Sequence, residues 1–137
     1  NADAVARAIL TDPGYAHVGI TEERARALHR SIRVYRWPFH LNEGALAERD
    51  VSGHIKVVAA PDGTILAATI VGRDAAEQIS AWALAVECGL RAQDLAGWVP
   101  PYSSRAEAGK RALTAALDKG LTHPAPNRII SLLRRRG

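Results

Sequence analysis

The chain has 137 residues, enough for one domain with a single core. With 47% apolar and 23% charged residues it has the composition of a folded globular protein, and no apolar run approaches the roughly 18 residues of a membrane span. The net charge of +4 comes from basic residues spread along the whole chain rather than gathered in a stripe with stacking aromatics, which argues against nucleic acid as a partner.

Fifteen of the 18 basic residues are arginine, the better residue for structural ion pairs. A lone cysteine, Cys88, excludes an internal disulfide and any multi-cysteine metal site. The chain opens Asn1-Ala2 and contains no methionine, so it is read as a fragment whose first two residues are a cloning scar. The reading is a single domain over 1–137, with a folded unit at about 5–120 and a basic helical tail at about 121–137. It is expected to be cytoplasmic, with no membrane contact.

Val5 to Leu10 forms a short strand candidate that ends at the turn Thr11-Asp12-Pro13-Gly14. Ala16 to Ile20 is a second. Thr21 is placed to cap a helix running to about His29, with Glu22 and Glu23 in its first turn, where the helix dipole favours anions. Ile32 to Trp37 alternates like a half-buried strand and stops at Pro38. Phe39 to Ser52 is polar and Ala-rich and reads as a loop with room for one helical turn.

His54 to Ala60 and Ile65 to Val71 form a hairpin around Pro61-Asp62-Gly63-Thr64. Both strands carry apolar residues on both faces, which predicts a central place in a sheet. Asp74 to Leu90 is a strong helix, with Ala75, Ile79, Trp82, Val86 and Leu90 at helical spacing and Gly89 near its end. Ala81, Leu84 and Ala85 widen its stripe beyond what one sheet face covers. Cys88 lies within it and reads as a buried, inert thiol. Asp94-Leu95-Ala96-Gly97 leads into the stiff segment Trp98-Val99-Pro100-Pro101-Tyr102. Ser103 or Ser104 is expected to cap a helix to about Lys119, and Asn127 a short one from Ile129 to Arg136. The fold class is α+β: an antiparallel sheet of four or five strands with helices packed on it.

No phosphate-binding glycine loop, CxxC or HExxH occurs, and the five histidines lack ligand spacing. On the residues alone, no metal and no cofactor site is expected.

Three stretches, in order, resemble one known domain. Thr11-Asp12-Pro13 through Val18-Gly19-Ile20-Thr21-Glu22-Glu23 is similar to its opening. Gly53-His54-Ile55-Lys56-Val57-Val58 with Ile65 to Gly72 is similar to its hairpin, and Ala75-Ala76-Glu77-Gln78-Ile79 to Ala85 to its interface helix. The domain is the C-terminal dimerisation domain of the pyridine nucleotide-disulfide oxidoreductases, in a branch like mercuric reductase or dihydrolipoamide dehydrogenase. Arg36-Trp37-Pro38-Phe39 fits the mercuric-reductase-like side of that branch.

The resemblance implies a homodimer formed through this domain, in a parent enzyme whose other domains bind FAD and NAD(P). The chain alone would then be inactive and hold neither cofactor. The resemblance also implies a loop reaching the partner's redox site. Family members ordinarily carry His-Pro-Thr-x-x-Glu there, the histidine being the acid-base partner of the redox thiols. This chain has Tyr102-Ser103-Ser104-Arg105-Ala106-Glu107, so Tyr102 replaces the histidine, as in mercuric reductases, and Glu107 matches the glutamate. Tyr102 and Glu107 are therefore the expected catalytic pair, acting in trans. A phenol is a poor base near neutrality and a good hydrogen-bond donor. The alternative is a free-standing protein–protein interaction module that keeps the fold without the chemistry. The substrate stays unassigned.

Overall fold

The computed structural model describes residues 2–121, with side chains described through residue 116. Five strands, β1 (Arg7–Ile9), β2 (Tyr15–Gly19), β3 (Arg33–Pro38), β4 (His54–Ala59) and β5 (Ile65–Val71), form one antiparallel sheet in the order β1-β2-β5-β4-β3. The hairpin strands β4 and β5 are central, as their two-sided apolar pattern predicts. Their turn is closed by Gly63 N–H donating to Ala60 O and Ala60 N–H to Thr64 O, each at 2.9 Å. Gly63 supplies the positive φ of 94° that this turn needs.

Strand alternation sorts the side chains. Ala16, Val18, Ile55, Val57, Ala68 and Ile70 point to one face and are buried. Two helices cover that face: α3 (Ala75–Glu87) against β2 and β5, and α5 (Glu107–Leu121) against β3 and β4. Ile79 and Trp82 from α3 and Leu113 from α5 complete the core. The helices approach closely because position 109 is glycine; a Cβ there would meet the Trp82 ring at 2.4 Å.

On the opposite face, His17, Thr69 and Lys56 stand in line across β2, β5 and β4. Helix α1 (Glu22–Leu28) closes one end of this face over a small cluster of Ile20, Ala25, Val58 and Ala67. Thr21 caps it as expected, accepting from Arg24 N–H at 3.1 Å. Glu22 in its first turn reaches Arg26 at 2.7 Å, Lys56 at 3.3 Å and Arg36 at 3.5 Å, tying α1 to β4 and β3.

Several expectations are corrected. Between Phe39 and Ser52 the chain makes a 3-10 turn (Phe39–Leu41) and a short helix, α2 (Glu43–Ala47). Asn42 caps α2, accepting from Ala45 N–H at 2.9 Å, and buried Phe39 and Ala45 anchor the segment; five residues are too few for periodicity to reveal them. A further short helix, α4 (Ala92–Ala96), occupies a stretch given no element from the sequence, with Asp94 accepting from Arg91 N–H at 2.9 Å. Cys88 is exposed, not buried: it is the C-cap of α3 and lies off the helix face that Ile79, Trp82 and Val86 bury. Neither Ser103 nor Ser104 caps α5, which begins at Glu107 after two turns; the Ser104 hydroxyl is buried and makes no hydrogen bond. The helix expected at Ile129–Arg136 and its cap Asn127 lie outside the described residues.

Glu22 yields a pH prediction. Its hydrogen bond to Arg26, followed by that to Lys56, holds its carboxyl below the ordinary glutamate value. A depressed folded-state pKa stabilises the fold fully above the unfolded value, about 4.3, and the gain disappears as pH falls through the folded one. Glu22→Gln should therefore flatten the acid limb of stability against pH below about 5, measured by urea unfolding at successive pH values. An unchanged limb would mean that this carboxylate contributes nothing.

Candidate functional site

The segment from Trp98 to Glu107 joins α4 to α5 and carries both sequence-predicted site residues. Pro100 is buried and Pro101 follows it, so the approach to Tyr102 has few accessible conformations. The Tyr102 ring is 82% exposed and projects from the surface. Glu107, in the first turn of α5, is half-buried.

The backbone behind Tyr102 is held by α2 and its flanks. Asn42 Nδ2 donates to Ser104 O at 3.1 Å. Gly44 lies so close to the loop that a Cβ would sit 2.2 Å from Ser103 O. Arg105 is 6% exposed; its Nε and Nη2 donate to Glu48 Oε2 at 2.9 and 2.7 Å, and Nη2 also donates to Asp50 O at 2.8 Å. Its guanidinium lies over the Phe39 ring, 5.5 Å from the centroid.

Glu43, not Glu107, is the main partner of the phenol. The Glu43 carboxylate, with a lesser influence from the charge of Glu107, raises the phenol above its ordinary value. Glu43 and Glu107 face each other across a cleft of about 120 Å³ that Trp37, Leu41, Asn42 and Arg111 complete. The structure thus brings Tyr102 and Glu107 together and adds Glu43, Asn42 and Arg105. Sequence reading passes over these three because they sit in, or pack against, the segment read as loop. The one available signal is Asn42 followed by Glu43, a helix cap with an acid in the first turn.

Beside this site an apolar groove of about 320 Å³ runs between α3 and α4, lined by Ala81, Trp82, Leu84, Leu90, Leu95 and Trp98 together with Asp94. Leu84 is 62% exposed on its edge. Ala81 is exposed with it, so the part of the wide α3 stripe that the sheet leaves uncovered faces outward.

The fold, a five-stranded antiparallel sheet with two helices on one face, is that of flavoprotein disulfide reductase domains. LpdA from Mycobacterium tuberculosis superposes with a TM-score of 0.78 at 23% identity, over 85% of this chain and 26% of that one. The HOCl-induced flavoprotein disulfide reductase RclA from Escherichia coli gives 0.76 at 23% identity, over 80% and 26%. The profile of the pyridine nucleotide-disulphide oxidoreductase dimerisation domain matches residues 5–113, and the chain belongs to that family. Relatives include dihydrolipoyl dehydrogenase 2 of Haloarcula marismortui, 36% identical over 114 residues, and dihydrolipoyl dehydrogenase of Geobacillus stearothermophilus, 33% identical over 115. These alignments cover 82% and 83% of this chain, which spans about a quarter (24%) of the length of each relative.

A dinucleotide's phosphates take open glycine backbone ahead of a helix N-terminus. Ahead of α3 that backbone is filled by the chain itself: a Cβ on Gly72 would meet the Phe39 ring at 2.5 Å. Among the described residues, no three His, Cys, Asp or Glu side chains are grouped to hold a metal.

The Tyr102–Glu43 contact can be read directly. With tyrosine labelled at 13Cζ, the Tyr102 phenol should titrate above about 10 and return toward that value in Glu43→Gln. Identical titrations in the two proteins would exclude the contact.

Proposed function

We propose that the chain pairs two subunits of a flavin-dependent, NAD(P)H-linked disulfide oxidoreductase as a homodimer, and delivers Tyr102 in trans to the partner's redox site. FAD and NAD(P) would be held by other parts of the parent protein; the backbone ahead of α3 offers their phosphates no open glycine. The carrying observation is one of continuity. The apolar groove ends at Trp98, and four residues later, beyond two prolines, an exposed tyrosine projects from a tethered loop. An isologous contact over the groove would desolvate Leu84 and Trp98 in both copies and set Tyr102 at the edge of the partner.

The chemistry open to Tyr102 is donation. A phenol is protonated across the neutral range, and the nearby carboxylates only oppose its ionisation further, so it can offer a hydrogen bond to a thiolate or an anionic substrate group. Glu43 is the acceptor that holds that proton while the partner's site is empty. Glu107 contributes a second negative charge nearby, which opposes ionisation of the phenol. The relatives are dihydrolipoyl dehydrogenases by name, but a phenol in place of an imidazole points to a site that positions a proton rather than accepts one.

Two measurements test this reading. In the full-length parent, Tyr102→Phe should keep fold and pairing but lower turnover about tenfold to a hundredfold, the effect of losing one hydrogen bond to a charged group, while flavin reduction by NAD(P)H stays at the wild-type rate. Turnover at the wild-type rate would make Tyr102 a surface residue and no more. For the pairing face, Leu84→Arg would bury an unpaired charge against the second copy. It should weaken the dimer by about a hundredfold or more in sedimentation equilibrium. A dimer of unchanged strength would place the contact elsewhere.

A further inference from the structure

The Tyr102 ring is among the most exposed large side chains described, yet the three residues after it are among the most restrained parts of the surface. Each is held from the same segment. Gly44 receives Ser103 O at a separation that leaves no room for a side chain. Asn42 binds Ser104 O through Nδ2 and caps α2 through Oδ1, so one side chain joins the loop to the helix start. Arg105 then enters the protein and donates twice to Glu48 Oε2, with Asp50 O as second acceptor and Asp50 Oδ2 at 3.8 Å. Residue 43 lies between Asn42 and Gly44, and its carboxylate is the main influence on the Tyr102 phenol.

The chemistry of Arg105 is the informative part. Its side chain is 5% exposed, its Nη1 is buried and makes no hydrogen bond, and its neighbour across the ion pair, Glu48, is half in water. Taking a guanidinium out of water is costly, and an apolar side chain of similar volume over Phe39 would fill the same space without that cost. What the arginine adds and an apolar residue lacks is direction. Two donors converging on one carboxylate oxygen and a third bond to backbone fix the loop's register against residues 48–50.

We infer that residues 42–50 are a positioning platform for the Tyr102 hydroxyl, and that Arg105 is the residue that locks the loop onto it. The inference rests on the reading above that Tyr102 is the functional group. It assigns Arg105 no contact with substrate: the arginine acts through the loop, setting where the phenol stands relative to Glu43 before a partner subunit arrives. Holding the group in place beforehand lowers the ordering cost of presenting it.

The test uses the chain alone and the 13Cζ titration of Tyr102, identified among the three tyrosines by its loss in Tyr102→Phe. The groups that face the phenol are Glu43 and Glu107, with Arg111 on the far side of the cleft. Arg105→Leu should leave the thermal unfolding midpoint near that of the wild type, because Glu48 stays solvated and leucine packs on Phe39. The Tyr102 phenol should nevertheless fall back to about 10, as it does when Glu43 loses its charge. Arg105→Met, whose unbranched chain follows the arginine stem, decides the matter in the same way if the leucine protein does not fold. A folded variant whose Tyr102 titrates like the wild type overturns the inference, because a merely structural arginine would not move that titration. The two readings fail separately. Wild-type turnover in Tyr102→Phe would remove the catalytic role and leave the platform standing, whereas an unmoved phenol would remove the platform whatever the turnover.

Discussion

The register of the central hairpin is the constraint on which everything else hangs. Pairing Ile55 with Ile70 and Val57 with Ala68 puts Ile55, Val57, Ala68 and Ile70 on one face, and a one-residue slip would turn all of them to the other. Because that face is apolar along its whole length, it takes two helices side by side. The spacing between them is then set by small residues, with Gly109 of α5 against Trp82 of α3. The opposite face carries His17, Lys56 and Thr69, and is closed only where α1 reaches it. Register thus decides which surfaces the molecule has left to offer: the outer side of α3 and the loop that enters α5.

Those two surfaces differ in what holds them. The α3 side is apolar and lies in a groove, so its tendency is to be covered; nothing about it specifies a direction. The Tyr102 loop is polar and directional, built from a side-chain cap, a glycine contact and a guanidinium fork. Its ion pair is poor as a source of stability, since half of it is buried and half solvated. A contact that costs desolvation and returns orientation belongs where geometry matters more than energy. A loop presenting a single hydroxyl is such a place.

Much of the fold was legible in the residues because it obeys strong periodicities. The alternating hairpin, the four-three-four spacing in α3, the Thr21 cap and the Gly63 turn each show in a few letters. Legibility failed where elements are shorter than their own period. Helices α2 and α4 have five residues each and are stabilised by Asn42, Asp94 and buried neighbours rather than by an amphipathic stripe. The misplaced start of α5 has the same origin. Ser103 and Ser104 carry the right side chains for a cap, but the loop is drawn onto α2, where Asn42 donates to Ser104 O and Gly44 packs on Ser103 O, and the Ser104 hydroxyl is buried without a hydrogen bond; no local rule anticipates contacts some sixty residues away. Cys88 sits inside the apolar run but off the face that Ile79, Trp82 and Val86 bury, a difference of phase that composition alone does not show.

The site was legible in part for a related reason. Tyr102 and Glu107 stand out by their place in a motif-like series, whereas Glu43 and Arg105 do not, since their roles arise only when segments 39–50 and 98–107 meet. That meeting has a consequence for how pairing and chemistry are joined in the function proposed here. Trp98 lines the apolar groove and Tyr102 is the group to be presented; between them lie Val99, which is exposed, and two prolines with fixed φ. Downstream of Tyr102 the chain is tethered at three successive residues. A segment stiff on one side and fastened on the other cannot move at Trp98 without moving at Tyr102. Covering the groove with a second subunit would then also set the phenol's position, so a subunit contact and a catalytic geometry would be coupled through five residues of backbone, with no mobile lid and no rearrangement of the core required.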